Sequence, residues 1–288
     1  MIPGLASGPA PVLVLGATGA VGRLLLSRLA EAGAPAIAVS RRVPDAEWPG
    51  VLWLQHDLAT EPLRAESQVL LSAGPLSLAR RQLERLPSVR RVVALGSASV
   101  RFKQDSPDPT ERAMMRELAD AELRLAEWAE RRGIDVTLLR PTLIYGGEGD
   151  RNVSVIAEAA RSRRVLPIAG RGLRQPVHAE DLARLMTRLV ARRGNGFEPF
   201  DLGGGETLPY PDFVRRIASA AGADPNIVQV PAALLTALVR AGRIFGRFDS
   251  VTPAMIRRQC MDLVVDDTPA REHLAWNPRP FRPSSSGD

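Results

Sequence analysis

The chain has 288 residues, 45% of them hydrophobic and 24% charged, which is typical of a globular protein with one or two domains. Its single cysteine, Cys260, excludes an internal disulfide framework and favours a reducing, cytoplasmic location, and its three scattered histidines predict no metal site. The net charge is +6, but the arginine pairs are spread over predicted helices and no apolar run reaches membrane-spanning length, so we expect neither a nucleic-acid nor a membrane partner.

A strand, a glycine turn and a helix are predicted at the start of the chain. The apolar run Val12–Leu15 predicts the strand, and an apolar periodicity over 21–32 predicts the helix. Glycines in such a turn let a pyrophosphate approach the backbone, and the helix presents unpaired N–H groups to that anion. We therefore predict dinucleotide binding by Gly16, Thr18, Gly19, Ala20, Val21 and Gly22.

The residues that follow the second predicted strand indicate which dinucleotide is bound. NAD-specific sites usually have an acidic residue there, whereas this chain has Ser40, Arg41 and Arg42. A hydroxyl and two guanidinium groups suit a 2′-phosphate, and Arg23 is a further candidate, so NADP(H) is favoured over NAD(H). The alternative is that these are surface arginines of an arginine-rich protein.

Strand-like and helical runs alternate through the first half of the chain. This alternation predicts an α/β fold, a doubly wound parallel (Rossmann) sheet with helices on both faces. The further strands are expected at 36–39, 51–54, 69–72, 91–95 and 136–139, and the main helices at 77–86 and 111–131.

The pattern changes after Arg140 and Pro141, and the second half predicts a smaller, mainly helical lobe. We expect residues 1–145, completed by 177–203, to form the Rossmann domain. We expect 146–176 and 204–280 to form a substrate lobe, and 281–288 a mobile tail. The apolar helical stretch 231–261 predicts either core or the face of a homodimer.

Several motifs make the chain resemble the short-chain dehydrogenase/reductase superfamily, specifically its extended and atypical members grouped as NAD-dependent epimerases/dehydratases. They lie at 16–22, 57–58, 71–75, 95–99, 139–146 and 175–183. The resemblance implies cofactor contacts from Asp57, Leu58, Ser72, Ala73, Gly74 and Pro141. Asp57 could accept a hydrogen bond from the adenine amino group or simply cap the next turn.

The family's usual proton relay, a tyrosine with a lysine four residues later, is missing. Alignment on Glu122 places Met114 and Leu118 in those two positions. The only tyrosines are Tyr145 and Tyr210, and neither is followed by a lysine four residues on. The sequence therefore predicts an atypical member without the standard relay.

Other groups remain as candidates for chemistry. Ser97 and Ser99 follow the fifth strand, where the family has a substrate-contacting hydroxyl. Lys103 is the only lysine beside 37 arginines, and lysine can lose its proton when partly buried, whereas arginine cannot. Lys103 could also be an ordinary surface residue, and Tyr145 could donate a proton near the nicotinamide or simply pack.

Arg174 aligns with an arginine that contacts the ligand's diphosphate in nucleotide-sugar epimerases. The resemblance therefore implies a small anionic substrate. A salt bridge of Arg174 within the lobe is an equal alternative.

Two functions stay open. One is an NADP(H)-dependent reductase or epimerase/dehydratase-type enzyme, and the other is a non-catalytic dinucleotide-binding protein with a structural or redox-sensing role.

Overall fold

The computed structural model describes residues 10–45, 48–147, 150, 152–244 and 251–284. Within these ranges the strands are β1 (Val12–Leu15), β2 (Ala36–Ser40), β3 (Val51–Gln55), β4 (Val69–Ser72), β5 (Arg91–Leu95), β6 (Asp135–Pro141), β7 (Ile144–Tyr145), β8 (Val165–Ile168), β9 (Leu173–Arg174), β10 (Val177–His178), β11 (Phe197–Leu202), β12 (Leu208–Pro209) and β13 (Asn226–Gln229). The helices are α1 (Ala20–Glu31), α2 (Leu76–Leu83), α3 (Ser99–Phe102), α4 (Pro109–Arg132), α5 (Val153–Ser162), α6 (Ala179–Leu189), α7 (Tyr210–Ala220), α8 (Ala232–Ile244), α9 (Pro253–Gln259) and α10 (Thr268–Leu274).

The predicted doubly wound sheet is confirmed. Its strands lie in the order β11-β6-β5-β4-β1-β2-β3, and β1 to β6 pair in parallel. The strand order reverses between β1 and β4. In such sheets the carboxyl ends of the two strands at this switch point form the ligand-binding crevice.

The strands of this sheet are apolar because helices cover both of its faces. Every residue of β1 and of β5 is buried. Leu83 of α2 and Leu125 and Trp128 of α4 pack in one core with Leu13 and Val92 of the sheet. Burying one such side chain stabilises the fold by roughly 1.5 to 3 kcal/mol. The first compact unit of the chain contains this core and ends its segments at Ser97, Arg140 and Phe200.

The second compact unit has its own core. Short strands pair as β7 with β10, β9 with β12 and β8 with β13. Its aromatic centre is formed by Tyr145, Phe213 and Phe281, and the ring of Phe281 lies 4.8 Å from that of Tyr145 and 4.9 Å from that of Phe213.

The boundary between the units differs from the predicted one, because residues 98–116 belong to the second unit. Ala98 donates its N–H to the carbonyl of Pro141 at 3.0 Å. Arg101 pairs with Asp201 at 2.7 Å, and Arg258 pairs with Glu111 at 2.6 Å. These contacts join segments that are far apart in sequence, so the local pattern carried no sign of them.

The end of the chain also corrects an expectation. Phe281 was placed at the start of the predicted mobile tail, yet its side chain is only 1% exposed. The N–H of Arg282 donates to the hydroxyl of Tyr145 at 3.2 Å. The aromatic contacts of Phe281 therefore hold this segment in place, and the last residues of the predicted tail, 285–288, lie outside the described residues.

Helix α8 presents leucines on two faces. Leu235 and Val239 are buried with Ile256 of α9, whereas Leu234 and Leu238 are about half exposed. The apolar stretch 231–261 therefore contributes to a core through the buried face of α8. A homodimer formed through its exposed face stays a prediction. No helix in the described part of the chain is both long and apolar enough to cross a membrane.

Candidate functional site

The glycine turn after β1 is packed so tightly that side chains would not fit. Gly16 has a φ of +72°, and a Cβ there would lie 2.4 Å from the backbone nitrogen of Gly74. A Cβ on Gly22 would lie 2.1 Å from the carbonyl oxygen of Gly16. Glycine is required at both positions because backbone occupies the space of the missing atoms. Ala73 and Gly74, which follow β4, therefore lie directly against the turn.

The first turn of α1 is open to an anion. Gly19 is the N-cap and has an extended backbone, and it provides no side chain to cap the helix. No acidic residue lies in the first turn, so the positive end of the helix dipole has no carboxylate next to it. Thr18 and Gly19 are exposed. A helix start of this kind can bind a phosphate through its unpaired N–H groups.

The end of β2 carries exposed arginines. Arg41 and Arg42 are both exposed, and within the described part of the chain their guanidinium groups form no hydrogen bond or ion pair. The hydroxyl of Ser40 accepts the N–H of Arg42 at 3.3 Å. Arg23, by contrast, donates its Nε to the carbonyl of Thr18 at 3.1 Å, which bonds it to the glycine turn.

The other predicted cofactor residues of the first unit have mixed environments. Asp57 accepts the N–H of Ala59 at 2.9 Å, which is the turn-capping role left open by the sequence. Leu58 packs against the main core. Ser72 is fully buried, and its hydroxyl has no hydrogen-bond partner among the described residues. The adenine contact of Asp57 stays a prediction.

The two positions that the alignment assigns to the relay, Met114 and Leu118, lie on α4. Met114 is 58% exposed and Leu118 is partly buried against the main core. Glu122, one turn later, binds Arg140 through two hydrogen bonds of 2.9 and 2.7 Å. Neither a thioether nor an isobutyl group can exchange a proton, so these two positions supply no acid or base.

Ser97 ends the first segment of the first unit, and Ser99 is the first residue of α3, which belongs to the second unit. Lys103 is the C-cap of α3 and is half-buried. Burial lowers the pKa of its ammonium, the Arg258 guanidinium lowers it further, and the Glu111 carboxylate opposes both effects. A lysine in such surroundings gives up its proton more readily than one in water.

Glu111 and Arg258 were not singled out by the sequence. Arg258 donates to both carboxylate oxygens of Glu111, at 2.7 and 2.6 Å, and Ser106 donates to one of them at 2.7 Å. Burial opposes the charge on Glu111, but these hydrogen bonds outweigh it and lower the pKa of the carboxyl. Since 147 residues separate Glu111 and Arg258, no local pattern pointed to the pair.

Tyr145 packs inside the second unit, and its role as a proton donor stays a prediction. Its ring contacts those of His178 and Phe281 edge to face, and its side chain is almost fully buried. The hydroxyl donates to the carbonyl of Pro280 at 3.5 Å and accepts from the backbone of Arg282. Burial raises the pKa of Tyr145, which makes it a poorer acid.

Arg174 is also held inside the second unit. It is 4% exposed and donates to the carbonyls of Leu173, Met261 and Arg258, and its guanidinium lies 4.9 Å from the ring centre of Tyr210. Burial lowers its pKa to about 10. These contacts are similar to the salt bridge within the lobe that was the alternative to substrate binding, except that the partners of Arg174 are backbone carbonyls and not a carboxylate. Substrate binding by Arg174 stays a prediction.

Replacing Arg174 by lysine is expected to lower the free energy of unfolding by about 2 to 4 kcal/mol, because one ammonium cannot bond three carbonyls in the geometry of a guanidinium. Urea denaturation measures this, with Arg171→Lys as the exposed control, for which we expect a change below about 0.5 kcal/mol. Unchanged stability in the Arg174 variant would contradict the structural role.

A cavity of about 480 Å³ lies between α8 and α9 and is lined by Ala233, Ala237, Arg240, Arg257 and Cys260 among others. None of the site residues predicted from the sequence lines it.

Asp150 caps the start of α5 through its carboxylate, which accepts the N–H groups of Asn152 and Val153. Among the described residues no cluster of three potential metal ligands is present.

Comparison with known proteins places the fold. No family model matches the chain. UDP-glucose 4-epimerase from Vibrio cholerae is 23% identical over 236 residues, which are 78% of this chain and 69% of the relative. Among solved structures, MoeE5 in complex with UDP-glucose and NAD is 20% identical with a TM-score of 0.71, and the match covers 94% of each chain.

Two further solved structures have the same fold. UDP-N-acetylglucosamine 4-epimerase from Bacillus cereus is 13% identical with a TM-score of 0.67, covering 95% of this chain and 92% of that one. Epimerase Mth375 from Methanothermobacter thermautotrophicus is 18% identical with a TM-score of 0.71, covering 98% and 91%. These likenesses show that the chain shares the fold of these proteins over nearly its whole length.

Proposed function

We propose that this protein is a nicotinamide-dinucleotide-dependent enzyme of the epimerase/dehydratase type, acting with NADP(H) on a small anionic substrate. The observation that carries the proposal is the glycine turn at the start of α1. Its backbone is too crowded for side chains at Gly16 and Gly22, while its outer surface at Thr18 and Gly19 is open. A pyrophosphate needs this combination of close approach and unpaired N–H groups.

The choice of NADP(H) is supported by the end of β2. Arg41 and Arg42 are exposed and have no partner among the described residues, so both can bind a phosphate without breaking an existing ion pair. Guanidinium groups bind phosphate oxygens through paired N–H donors. NAD is the competing cofactor, since the complex of MoeE5 contains it.

The bound nicotinamide would accept or return a hydride, and the chain must then move a proton on the substrate. Ser97 and Ser99 are candidates to bind the reacting hydroxyl, and Lys103 is the candidate proton donor and acceptor. Lys103 suits this role because burial and Arg258 both lower the pKa of its ammonium. It would replace the tyrosine and lysine that the sequence lacks.

UDP-glucose is the first substrate to test, because the Vibrio cholerae relative is a UDP-glucose 4-epimerase and the MoeE5 structure is a complex with UDP-glucose. The buried contacts of Arg174 leave little of that guanidinium for a diphosphate, so another cation would have to contribute. We expect the pure protein to convert UDP-glucose in the presence of NADP⁺, measured by proton NMR of the sugar and by absorbance of NADPH.

A non-catalytic dinucleotide-binding role is the second candidate, and the missing tyrosine–lysine pair favours it. The same assay separates the two functions. Tight NADPH binding without conversion of UDP-glucose, UDP-galactose or UDP-N-acetylglucosamine would favour the non-catalytic role for this group of substrates. Conversion by the wild type that is lost in Gly19→Ala, in which the added methyl group fits the fold but occupies the proposed pyrophosphate position, would support the enzyme.

A further inference from the structure

Helix α8 turns an apolar face away from the protein. Its inner face packs through Leu235 and Val239 against Ile256 of α9. Among the described side chains of the helix, those of the opposite, outer face are exposed and, apart from one arginine, apolar: Ala233, Leu234, Ala237, Leu238, Arg240 and Ala241. A helix on the surface of a globular protein normally has charged and polar residues on its outer face. The outer face of α8 therefore has the composition of a surface that is covered.

The two leucines of the outer face form one ridge. Leu234 and Leu238 are 52% and 53% exposed, and because they are four residues apart they lie next to each other along the helix. The exposed alanines on one side of this ridge add further apolar surface. Apolar surface left in water costs free energy in proportion to its area, so this face favours transfer into an apolar phase.

The same part of the chain is basic. The sequence 225–261 contains five arginines and one acidic residue, Asp249. Arg240 of α8 and Arg257 of α9 are exposed, and neither forms an ion pair within the described part of the chain. Both line the cavity of about 480 Å³ between the two helices, whose other walls are mainly small apolar side chains. Two guanidinium groups therefore lie beside apolar surface and have no carboxylate to neutralise them.

We propose that the outer face of α8, together with Arg240 and Arg257, is a docking surface for a membrane that contains anionic phospholipids. The leucines enter the boundary between headgroups and acyl chains, and the guanidinium groups bind lipid phosphates through paired N–H donors. With 13 residues α8 is about 20 Å long, shorter than a hydrocarbon core of about 30 Å, so it lies in the plane of the interface. Such a surface adds a location to the proposed function. It replaces the expectation of no membrane partner, which rested on the lack of a membrane-spanning run.

A second copy of the chain is the competing occupant, since the sequence predicts a homodimer face in this stretch. In a symmetric dimer the same face of both copies meets, so the arginines of one copy would approach those of the other. An anionic bilayer instead supplies phosphates of the opposite charge. The charges around the outer face of α8 thus favour a lipid surface over a second copy.

Sedimentation of the full chain with lipid vesicles tests this docking surface. We expect the protein to bind vesicles of phosphatidylcholine and phosphatidylglycerol at least about tenfold more tightly than vesicles of phosphatidylcholine alone, because only the former carry negative charge. Raising the salt from about 0.1 M to 1 M should weaken binding to the anionic vesicles, since the Debye length shortens from about 10 Å to 3 Å.

Two double variants separate the apolar and the electrostatic contributions. Leu234→Ser/Leu238→Ser should weaken binding to anionic vesicles by roughly tenfold or more, because the apolar surface that enters the interface is lost. Arg240→Gln/Arg257→Gln should weaken it by a similar factor, roughly tenfold, because two phosphate contacts are lost. In the second variant binding should also depend less on salt.

The first compact unit offers matched controls. Leu52→Ser/Leu123→Ser removes two exposed leucines, and Arg85→Gln/Arg132→Gln removes two exposed arginines and changes the net charge by the same amount. Both controls should bind anionic vesicles almost as the wild type does. Urea denaturation should show little change for any of the four variants, because the substituted side chains are exposed.

The single cysteine gives a second readout. Cys260 is exposed and lines the cavity beside α8, so an environment-sensitive fluorophore on its thiol lies next to the proposed surface. We expect its emission to shift to shorter wavelength when anionic vesicles are added. The same label on Glu127→Cys in a Cys260→Ser background, on the exposed side of α4, should show no shift.

A wild type that does not bind anionic vesicles would overturn the inference. So would undiminished binding in Leu234→Ser/Leu238→Ser, or a Cys260 label whose emission does not change on the vesicles. Analytical ultracentrifugation without lipid identifies the competing occupant. A wild-type dimer that Leu234→Ser/Leu238→Ser converts into a monomer would assign the outer face of α8 to a second copy of the chain and not to a membrane.

Discussion

Gly19→Ala is expected to weaken NADPH binding by roughly 100-fold or more, about 2.7 kcal/mol, while the free energy of unfolding changes by only about 1 kcal/mol. Gly19 has a φ of −76°, which alanine adopts readily, and the nearest atom to an added Cβ is 3.4 Å away. The methyl group therefore fits the protein, but it occupies the open surface where we place the pyrophosphate. Fluorescence titration with NADPH and urea denaturation measure the two effects.

Gly22→Ala is the matched comparison in the same turn. Its added Cβ would lie 2.1 Å from the Gly16 oxygen and 2.8 Å from Cα of Ala17, so the turn itself must move. We expect this variant to lose both stability and NADPH binding. Normal NADPH affinity in Gly19→Ala would place the pyrophosphate elsewhere and would end the argument from the glycine turn.

Lys103→Arg is expected to abolish turnover although the positive charge remains. A guanidinium keeps its proton at all working pH values, and its planar shape replaces a compact ammonium. Lys103→Met should be equally inactive, because it keeps the length of the side chain without the amine. Initial rates with UDP-glucose measure the loss, and NADPH affinity should stay within about threefold of the wild type, since Lys103 is not among the proposed cofactor contacts.

Full activity of Lys103→Arg would make this lysine an ordinary half-buried residue. Inactivity accompanied by lost NADPH binding would point instead to a damaged fold. Only the loss of turnover with retained binding supports proton transfer by Lys103.

The first half of the fold could be predicted from the sequence because its signals are local. Runs such as Val12–Leu15 and Arg91–Leu95 are buried on both faces, so hydrophobicity alone marks them as strands. The glycine turn combines a strand end, a helix start and the spacing of Gly16 and Gly22 within a few residues.

The parts that could not be predicted depend on contacts between distant segments. Residues 98–116 join the second unit through partners such as Asp201 and Arg258, which no local pattern connects to them. Arg174 looked like a ligand-binding arginine because its burial cannot be read from neighbouring residues. Phe281 follows a proline-rich stretch typical of a mobile tail, and only the aromatic core around Tyr145 explains its position.

The most direct test of the proposed cofactor site is a side-by-side titration of the wild-type protein with NADPH and NADH. We predict that NADPH binds at least about tenfold more tightly, a difference of about 1.4 kcal/mol. Arg41→Ala/Arg42→Ala should weaken NADPH much more than NADH, because only NADPH carries the 2′-phosphate that these exposed guanidinium groups can reach. Equal affinities, or tighter binding of NADH, would contradict the assignment of these arginines and of NADP(H).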